Sequence, residues 1–467
     1  MGKCPRIVIA AAHSGSGKTS LAISLTGALC RRGYKVQTFK VGPDFLDPTY
    51  LAVVSGRPCY NLDSWMMDKE HIQNLFDRVT RDADIAVIEG VMGLFDGSDT
   101  STTQGSTAQI ADWLDAPVLL IVNSRGMSRS FAALVKGFTS FEPQLNFIGV
   151  VANHCGSQNH EKWLSASLAA AGEPPLVGAI PSGAFVKLPG RHLGLVTASE
   201  QNLTKPVIDD LSAAVERHVS IETLLQSLDV KKKPDSDAHK FMQADATAFS
   251  PKIRIGVAYD DAFHFYYQDF FDALVARGCE IVRFSPLADK LLPDNLNGIY
   301  IGGGYPEVHA QALSANGEMM SSICAFAASG RLVYAECGGL MYLSKGIETN
   351  EGQHFSMLGI LPARTKMSKR MIALGYVEAR LSDNSLWGKK GDVGRGHEFH
   401  YSELIDDPCS DREWKSVYEL KKPRSNDVRA EGFQRGNILA SYVHLYHSAR
   451  PAAIDYFIES CAGKKSL

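Results

Sequence analysis

Short apolar runs alternate with amphipathic stretches through the first half of the chain. Arg6 to Ala12, Lys35 to Lys40, Ile85 to Glu89, Val118 to Asn123 and Phe147 to Asn153 read as strands. Thr19 to Arg32, Lys69 to Thr80, Ser128 to Phe138 and His160 to Ala171 read as the helices between them. That alternation predicts βαβ units and a largely parallel sheet. The first helix closes on Arg31-Arg32-Gly33, with basic residues in its last turn and glycine just beyond, as a helix stop should.

From Asp229 to Lys252 the pattern fails. Lys231-Lys232-Lys233-Pro234-Asp235-Ser236-Asp237 is polar and rich in breakers, the signature of a linker. A strand at Arg254 to Tyr259 opens a second βα alternation, continued by Glu280 to Ser285, Gly298 to Ile301, Leu332 to Ala335 and Ile438 to Val443. The expected organisation is two α/β domains: residues 1–228, a linker at 229–252, residues 253–450, and a C-terminal tail at 451–467.

Composition adds mainly exclusions. The 467 residues suffice for two well-buried cores. A net charge of −3 with 21% charged residues gives no basic surface for nucleic acid or anionic membrane. Nine cysteines without a Cys-x-x-Cys pair argue against a disulfide framework or a zinc site, and a reducing cytoplasm fits best. No apolar stretch is long enough to span a bilayer; Ile7 to Ala12 runs straight into a glycine-rich loop and reads as a buried first strand.

That loop, Ala12-His13-Ser14-Gly15-Ser16-Gly17-Lys18-Thr19, sits between a strand and a helix. Small residues there expose several backbone N–H groups to one anion. Gly15 and Gly17 shape the cradle, Lys18 neutralises β/γ-phosphates and the Thr19 hydroxyl reaches Mg²⁺, so ATP-Mg²⁺ is the expected ligand. Ala12 stands where the usual pattern opens with glycine. After the second strand comes Lys40-Val41-Gly42-Pro43-Asp44-Phe45-Leu46-Asp47-Pro48, and after the third Glu89-Gly90-Val91-Met92-Gly93-Leu94-Phe95-Asp96-Gly97. Strand ends on one edge of a parallel sheet converge on its ligand crevice. Glu89 closes an apolar strand, where a carboxylate is costly unless it meets a cation, and Mg²⁺ would be one. Lys40 suits an anion. Asp44, Asp47 and Asp96 lie beside glycine and proline and fit ordinary turn chemistry as well. Asn123 and Asn153 follow strands, where each could bind adenine or cap a turn. His154, Cys155 and His160 are poorly spaced for a metal and read as a loop. Leu188 to Leu195, with Arg191 and His192, could meet a phosphate or form a surface turn.

A second chemical signature lies downstream. Cys337 is followed by Gly338-Gly339 at a strand end, where small neighbours permit a sharp turn that presents the thiol. Gly302-Gly303-Gly304-Tyr305-Pro306, also at a strand end, supplies a second loop; Gly303, Gly304 and Gly338 are the expected oxyanion donors. The base must come from elsewhere, and His444 follows the last strand. Gly396-His397-Glu398-Phe399-His400-Tyr401-Ser402 is dense in functional groups without a convincing third ligand for zinc, and its role stays open.

Together these segments resemble the cobyrinic acid a,c-diamide synthase family, the glutamine-dependent, ATP-driven amidases of corrin (vitamin B12) biosynthesis. Besides the segments above, Phe39 to Asp44, Arg125 to Ser130, Ser285 to Asp289, Arg395 to Ser402 and Ala440 to His444 carry the resemblance, which spans almost the whole chain. It implies an N-terminal P-loop domain similar to dethiobiotin synthetase, binding ATP-Mg²⁺ and tetrapyrrole. A C-terminal class I glutamine amidotransferase-like α/β domain would follow. The implied partners are cobyrinic acid, ATP and L-glutamine, with a homodimer compatible. The c and a acetates would become carboxyl phosphates, each attacked by ammonia passed from the thiol site inside the protein. Lys18 and Thr19 carry over to phosphate and Mg²⁺; Asp44, Asp47, Glu89 and Asp96 to the metal or the activated carboxylate; Cys337 to the nucleophile and His444 to its base.

Class I glutaminases often carry Glu two residues after this histidine. Tyr446 stands there, so either another acid orients His444 or the pair works as a dyad. Hydrogenobyrinic acid or nickel-sirohydrochlorin would suit the same chemistry. A nucleotide switch of the chromosome-partitioning type would explain the first half but has no need of a thiol site.

Overall fold

A computed structural model describes residues 4–185, 203–233, 253–425 and 427–463. The chain divides into two compact units, Met1–Met242 and Gln243–Leu467.

The first unit is built on a seven-stranded, wholly parallel sheet in the order Tyr60–Leu62, Val36–Val41, Ile85–Glu89, Arg6–Ala11, Val118–Asn123, Phe147–Cys155, Leu176–Pro181. Its central strands are buried except at half-buried Arg6 and Asn123, as continuous Val/Ile/Leu runs require when helices cover both faces. Helix Lys18–Arg31 packs its Leu21, Leu25 and Leu29 into the main core, and Tyr50 and Leu51 of helix Asp47–Ser55 join it there. Local signals set the helix ends: Asp68 accepts the N–H of His71 at 2.7 Å to open helix Lys69–Val79, and Ser157 accepts that of His160 at 3.1 Å to open Gln158–Ala171.

The second unit holds a ten-stranded mixed sheet. Glu280–Phe284, Arg254–Ala258, Gly298–Ile301, Leu332–Glu336 and Ile438–Ser441 are parallel neighbours, as the sequence predicts. Beyond them the sheet turns antiparallel through Val428–Arg435, Lys415–Lys421, Ala373–Leu381, Val393–His400 and His444–Leu445. This antiparallel half is absent from the sequence reading, because its strands alternate buried and exposed residues and lack continuous apolar runs.

The domain limits differ at both edges. Lys233, expected in the linker, donates its backbone N–H to Asp84 at 2.6 Å, so the chain still lies on the first unit there; residues 234–252 of that linker lie outside the described ones. Residues 451–461, expected as tail, form helix Pro451–Cys461. Its Phe457 is fully buried and stacks on Trp387 with ring centroids 4.5 Å apart, making the helix part of the core. Among the described residues, no helix is long and apolar enough to cross a membrane.

Candidate active site

In the first unit, parallel register carries the chemistry-bearing residues to one sheet edge. Ile9 lies opposite Glu89, Glu89 opposite Lys40, and Asn123 opposite Asn153. Gly17 has φ 103° and a backbone pressed against Asn153: a Cβ there would meet Asn153 Nδ2 at 2.5 Å. Asn153 Nδ2 in turn donates to the Ser16 carbonyl at 2.9 Å. Asn153 therefore buttresses the phosphate loop, while Asn123 caps a turn by accepting the Arg125 N–H at 3.1 Å.

Beyond the loop lies a buried ionic cluster. Lys40 Nζ is 2.8 Å from Asp47 Oδ2 and 3.1 Å from Glu89 Oε1, and donates to the Gly90 carbonyl at 3.2 Å. Thr19 Oγ1 donates to Glu89 Oε1 at 2.5 Å. Burial and the neighbouring Asp47 charge push Glu89 up to about 7 and Asp44 to about 6. Burial alone would lower Lys40, but Asp47 and Glu89 hold it above its ordinary value. Lys18 is pulled down to about 8 by burial and by the Lys40 charge, and its ammonium donates to the Met92 carbonyl. Met92 itself has φ 47°, a strained backbone for a residue with a side chain.

The remaining acids have local work. Asp44 accepts the N–H groups of Leu46 and Asp47 at 2.7 and 3.0 Å, pinning the entry to helix Asp47–Ser55. Asp96 accepts the Gly93 N–H at 2.8 Å, which shapes the loop after Glu89. His160 stands 3.7 Å from Cys155 and 2.6 Å from the Met127 carbonyl. Leu188 to Leu195, with Arg191 and His192, lie outside the described residues.

Thr19 and Glu89 fit Mg²⁺. Both present hard oxygen, and Glu89 Oε2 is buried with no hydrogen-bond partner. No group of three or more His, Cys, Asp or Glu among the described residues could hold a metal alone. A cation there would therefore complete its shell with phosphate and water oxygens.

In the second unit, Cys337 sits between strand Leu332–Glu336 and helix Gly338–Leu343 with φ 48° and ψ −102°, the strained elbow that lifts a nucleophile to a turn tip. The glycine loop closes on it. A Cβ on Gly338 would stand 3.0 Å from the Gly304 nitrogen, and one on Gly303 would stand 2.5 Å from His444 Cε1. Gly303 thus abuts the His444 imidazole, and Gly338 abuts the Gly304 backbone, where only glycine fits. The Cys337 N–H is already given to the Ser441 carbonyl at 2.7 Å.

His444 is buried, with the Cys337 side chain and Glu336 both acting on its charge. Its Nδ1 faces Glu336 Oε2 at 3.6 Å, an ion-pair distance. Burial opposes charge on His444, yet Cys337 and Glu336 together raise it to about 10, favouring an imidazolium beside the sulfur. The His397 ring stacks on His444 with centroids 5.0 Å apart and donates to or accepts from Tyr267 at 3.2 Å. His400 instead stacks on Tyr442 and bonds the Ser402 carbonyl at 2.7 Å. Residues 396–400 lie in strand Val393–His400, whose Gly396 and His397 pair with Leu445 and His444, while Ser402 opens the separate strand Ser402–Leu404. Glu336 went unmarked in the sequence. A carboxylate closing a buried strand is the same signal that singles out Glu89, but the expected strand stopped one residue short, at Ala335.

Residues 7–196 match the family described as a CobQ/CobB/MinD/ParA nucleotide binding domain, and residues 254–452 match the CobB/CobQ-like glutamine amidotransferase domain. Fold, phosphate loop and thiol elbow thus define a glutamine amidotransferase ligase joined to a nucleotide-binding domain. Curated relatives match along the full length. A cobyrinate a,c-diamide synthase of Syntrophotalea carbinolica is 50% identical over 99% of both chains, one of Leptospira interrogans 42% over 99% of both, and one of Dehalococcoides mccartyi 40% over 97% of both. The chain belongs to the cobyrinate a,c-diamide synthase family. Among solved structures, a glutamine amidotransferase covers 44% of this chain and 98% of its own at 17% identity, with a TM-score of 0.32, a similarity too weak to build on.

Proposed function

We propose that the protein amidates the a and c acetate carboxylates of cobyrinic acid, using ATP and glutamine. The observation that supports this is the pairing of two sites on one chain. One is a phosphate loop opening onto the buried Thr19–Glu89–Lys40–Asp47 cluster; the other is Cys337 on a strained elbow against His444. The relatives' name supplies the substrate.

A carboxylate does not accept ammonia in water, so phosphorylation is needed to give it a leaving group. The loop N–H groups and Lys18 take the phosphates; the Lys18 ammonium leaves the Met92 carbonyl for them. Thr19 and Glu89 would hold Mg²⁺, which supplies charge neutralisation on the transferring phosphoryl group. Lys40, held between Asp47 and Glu89, presents a cation to the carboxyl phosphate, with Asp44 and Asp96 keeping the flanking loops in shape. At the second site the Cys337 thiolate attacks the glutamine carboxamide carbon, and the oxyanion meets N–H groups of the Gly303–Gly304 loop and Gly338. Imidazolium His444 gives its proton to the departing ammonia; neutral again, it draws a proton from the water that hydrolyses the thioester. Ammonia kept from bulk water stays unprotonated and nucleophilic.

Cys337→Ala tests the division of labour. Amidation with glutamine should vanish while synthesis from added ammonium at raised pH persists. Loss of both activities in a folded variant would overturn the reading.

A further inference from the structure

The acid that orients His444 is not where its class usually keeps it. Tyr446 occupies the position two residues after the histidine, and its hydroxyl donates to Asp269. The other buried carboxylates of this region are engaged elsewhere. Glu431 accepts from Ser441 Oγ at 2.6 Å and the Tyr442 N–H at 2.8 Å. Glu398 pairs with Arg429 and lies 3.8 Å from His400.

Resting on the role proposed for Cys337 and His444, we infer that Glu336 is the positioning acid of a Cys337–His444–Glu336 triad, so that adjacent residues supply acid and nucleophile. Three observations carry this. Glu336 Oε2 faces His444 Nδ1 at 3.6 Å, which leaves Nε2 for the thiol. The carboxylate is itself fixed: Tyr300 donates to Oε2 at 2.5 Å, Tyr334 donates to Oε1, and the Leu445 N–H approaches Oε1 at 3.4 Å. Burial keeps both tyrosines protonated, so each hydroxyl remains a donor to the Glu336 oxygens, and their rings stack with centroids 5.0 Å apart. The strained turn at Cys337 lets consecutive residues approach one imidazole from two sides. The logic is that of any triad: the acid selects the tautomer, aims the ring and stabilises the imidazolium, without itself taking the proton.

Glu336→Gln keeps the size and the tyrosine contacts but removes the charge. In the full chain, glutaminase kcat should fall by roughly 10²–10⁴-fold, the range spanned by positioned proton transfer and by loss of an orienting acid. KM for glutamine should change by no more than about threefold, because the acid does not touch substrate. Ammonia-dependent amidation should stay at the wild-type level, which reports the fold. Alkylation of Cys337 by iodoacetamide should require higher pH, since the imidazolium that stabilises the thiolate is less favoured. Glu336→Asp should recover part of the loss. A Glu336→Gln enzyme within about fivefold of wild-type glutaminase kcat, or with an unmoved alkylation profile, overturns the assignment. Should that variant not fold, Glu336→Asp and Tyr334→Phe decide: both must lose glutaminase kcat but keep ammonia-dependent synthesis, and full retention in either overturns it. Cys337→Ala in parallel separates the two levels. Glutaminase surviving there defeats the role of Cys337 itself, whereas glutaminase lost there but kept in Glu336→Gln defeats only Glu336.

Discussion

Lys40→Met removes the cation that bridges Asp47 and Glu89 while filling the same space. Lys40 is 3% exposed, Asp47 5% and Glu89 0%, so water cannot replace the lost charge. Stranding a buried partner in this way typically costs about 3–5 kcal/mol. The protein has one escape, which is to protonate. A carboxyl of ordinary pKa near 4.5 can be neutralised for about 5 kcal/mol at pH 8 and about 2 kcal/mol at pH 6, which caps the total penalty per group, including the part the wild type already carries. The sign follows from the direction of shift. Glu89 already titrates above its unfolded value, at about 7, and the substitution moves it further up. Ionising such a group opposes folding, so the deficit is full above the folded pKa and fades as pH falls toward the unfolded one. At about 2–4 °C per kcal/mol for a unit this size, the first unit should melt about 6–20 °C lower at pH 8, with a clearly smaller drop at pH 6. Scanning calorimetry at both values checks this. A drop under about 2 °C at pH 8, or one that grows on acidification, refutes the buried-cluster argument. Amidation should be lost with glutamine and with ammonium alike.

Gly303→Ala should push His444 aside, because the new Cβ would lie 2.5 Å from Cε1. Glutaminase should fall on the order of 100-fold, the cost of misplacing a catalytic group by about 1 Å, with ammonia-dependent synthesis retained. ATP binding to the free protein should weaken as pH rises through about 8, where Lys18 loses its proton, with a slope of at most one decade per pH unit. Titration calorimetry between pH 7 and 9.5 checks it, and a flat profile would place the phosphate charge elsewhere.

The parallel strands were legible because burial on both faces demands unbroken apolar runs, and Ile85–Glu89 and Val118–Asn123 fall where those runs lie. Tyr60–Leu62 is too short to show a period. Helix Asp47–Ser55 was hidden by Asp44, Asp47 and Pro48, which read as a turn although Pro48 stands in the helix's first turn. In the second unit, Ala373–Leu381 and Lys415–Lys421 place Glu378, Arg380, Lys415, Glu419 and Lys421 among their apolar residues, so neither forms an unbroken apolar run. Helix Pro451–Cys461 had its spacing in view at Ile454, Phe457 and Cys461, but its partner Trp387 is far off in sequence. At the sites, glycines and chemical groups at strand ends were readable one by one. What binds them was not: Asn153 under the phosphate loop and Glu336 behind His444 act through three-dimensional neighbours that no local pattern announces.

The central claim is that nitrogen freed at Cys337 ends on a carboxylate activated with ATP. Its most direct test supplies cobyrinic acid, ATP, Mg²⁺ and glutamine labelled with ¹⁵N in the amide, with unlabelled ammonium in the buffer, and weighs the product. The account predicts a corrin with two new amides, both carrying ¹⁵N, and ADP formed alongside. Unlabelled amides, or no amidation while glutamine is consumed, would contradict it.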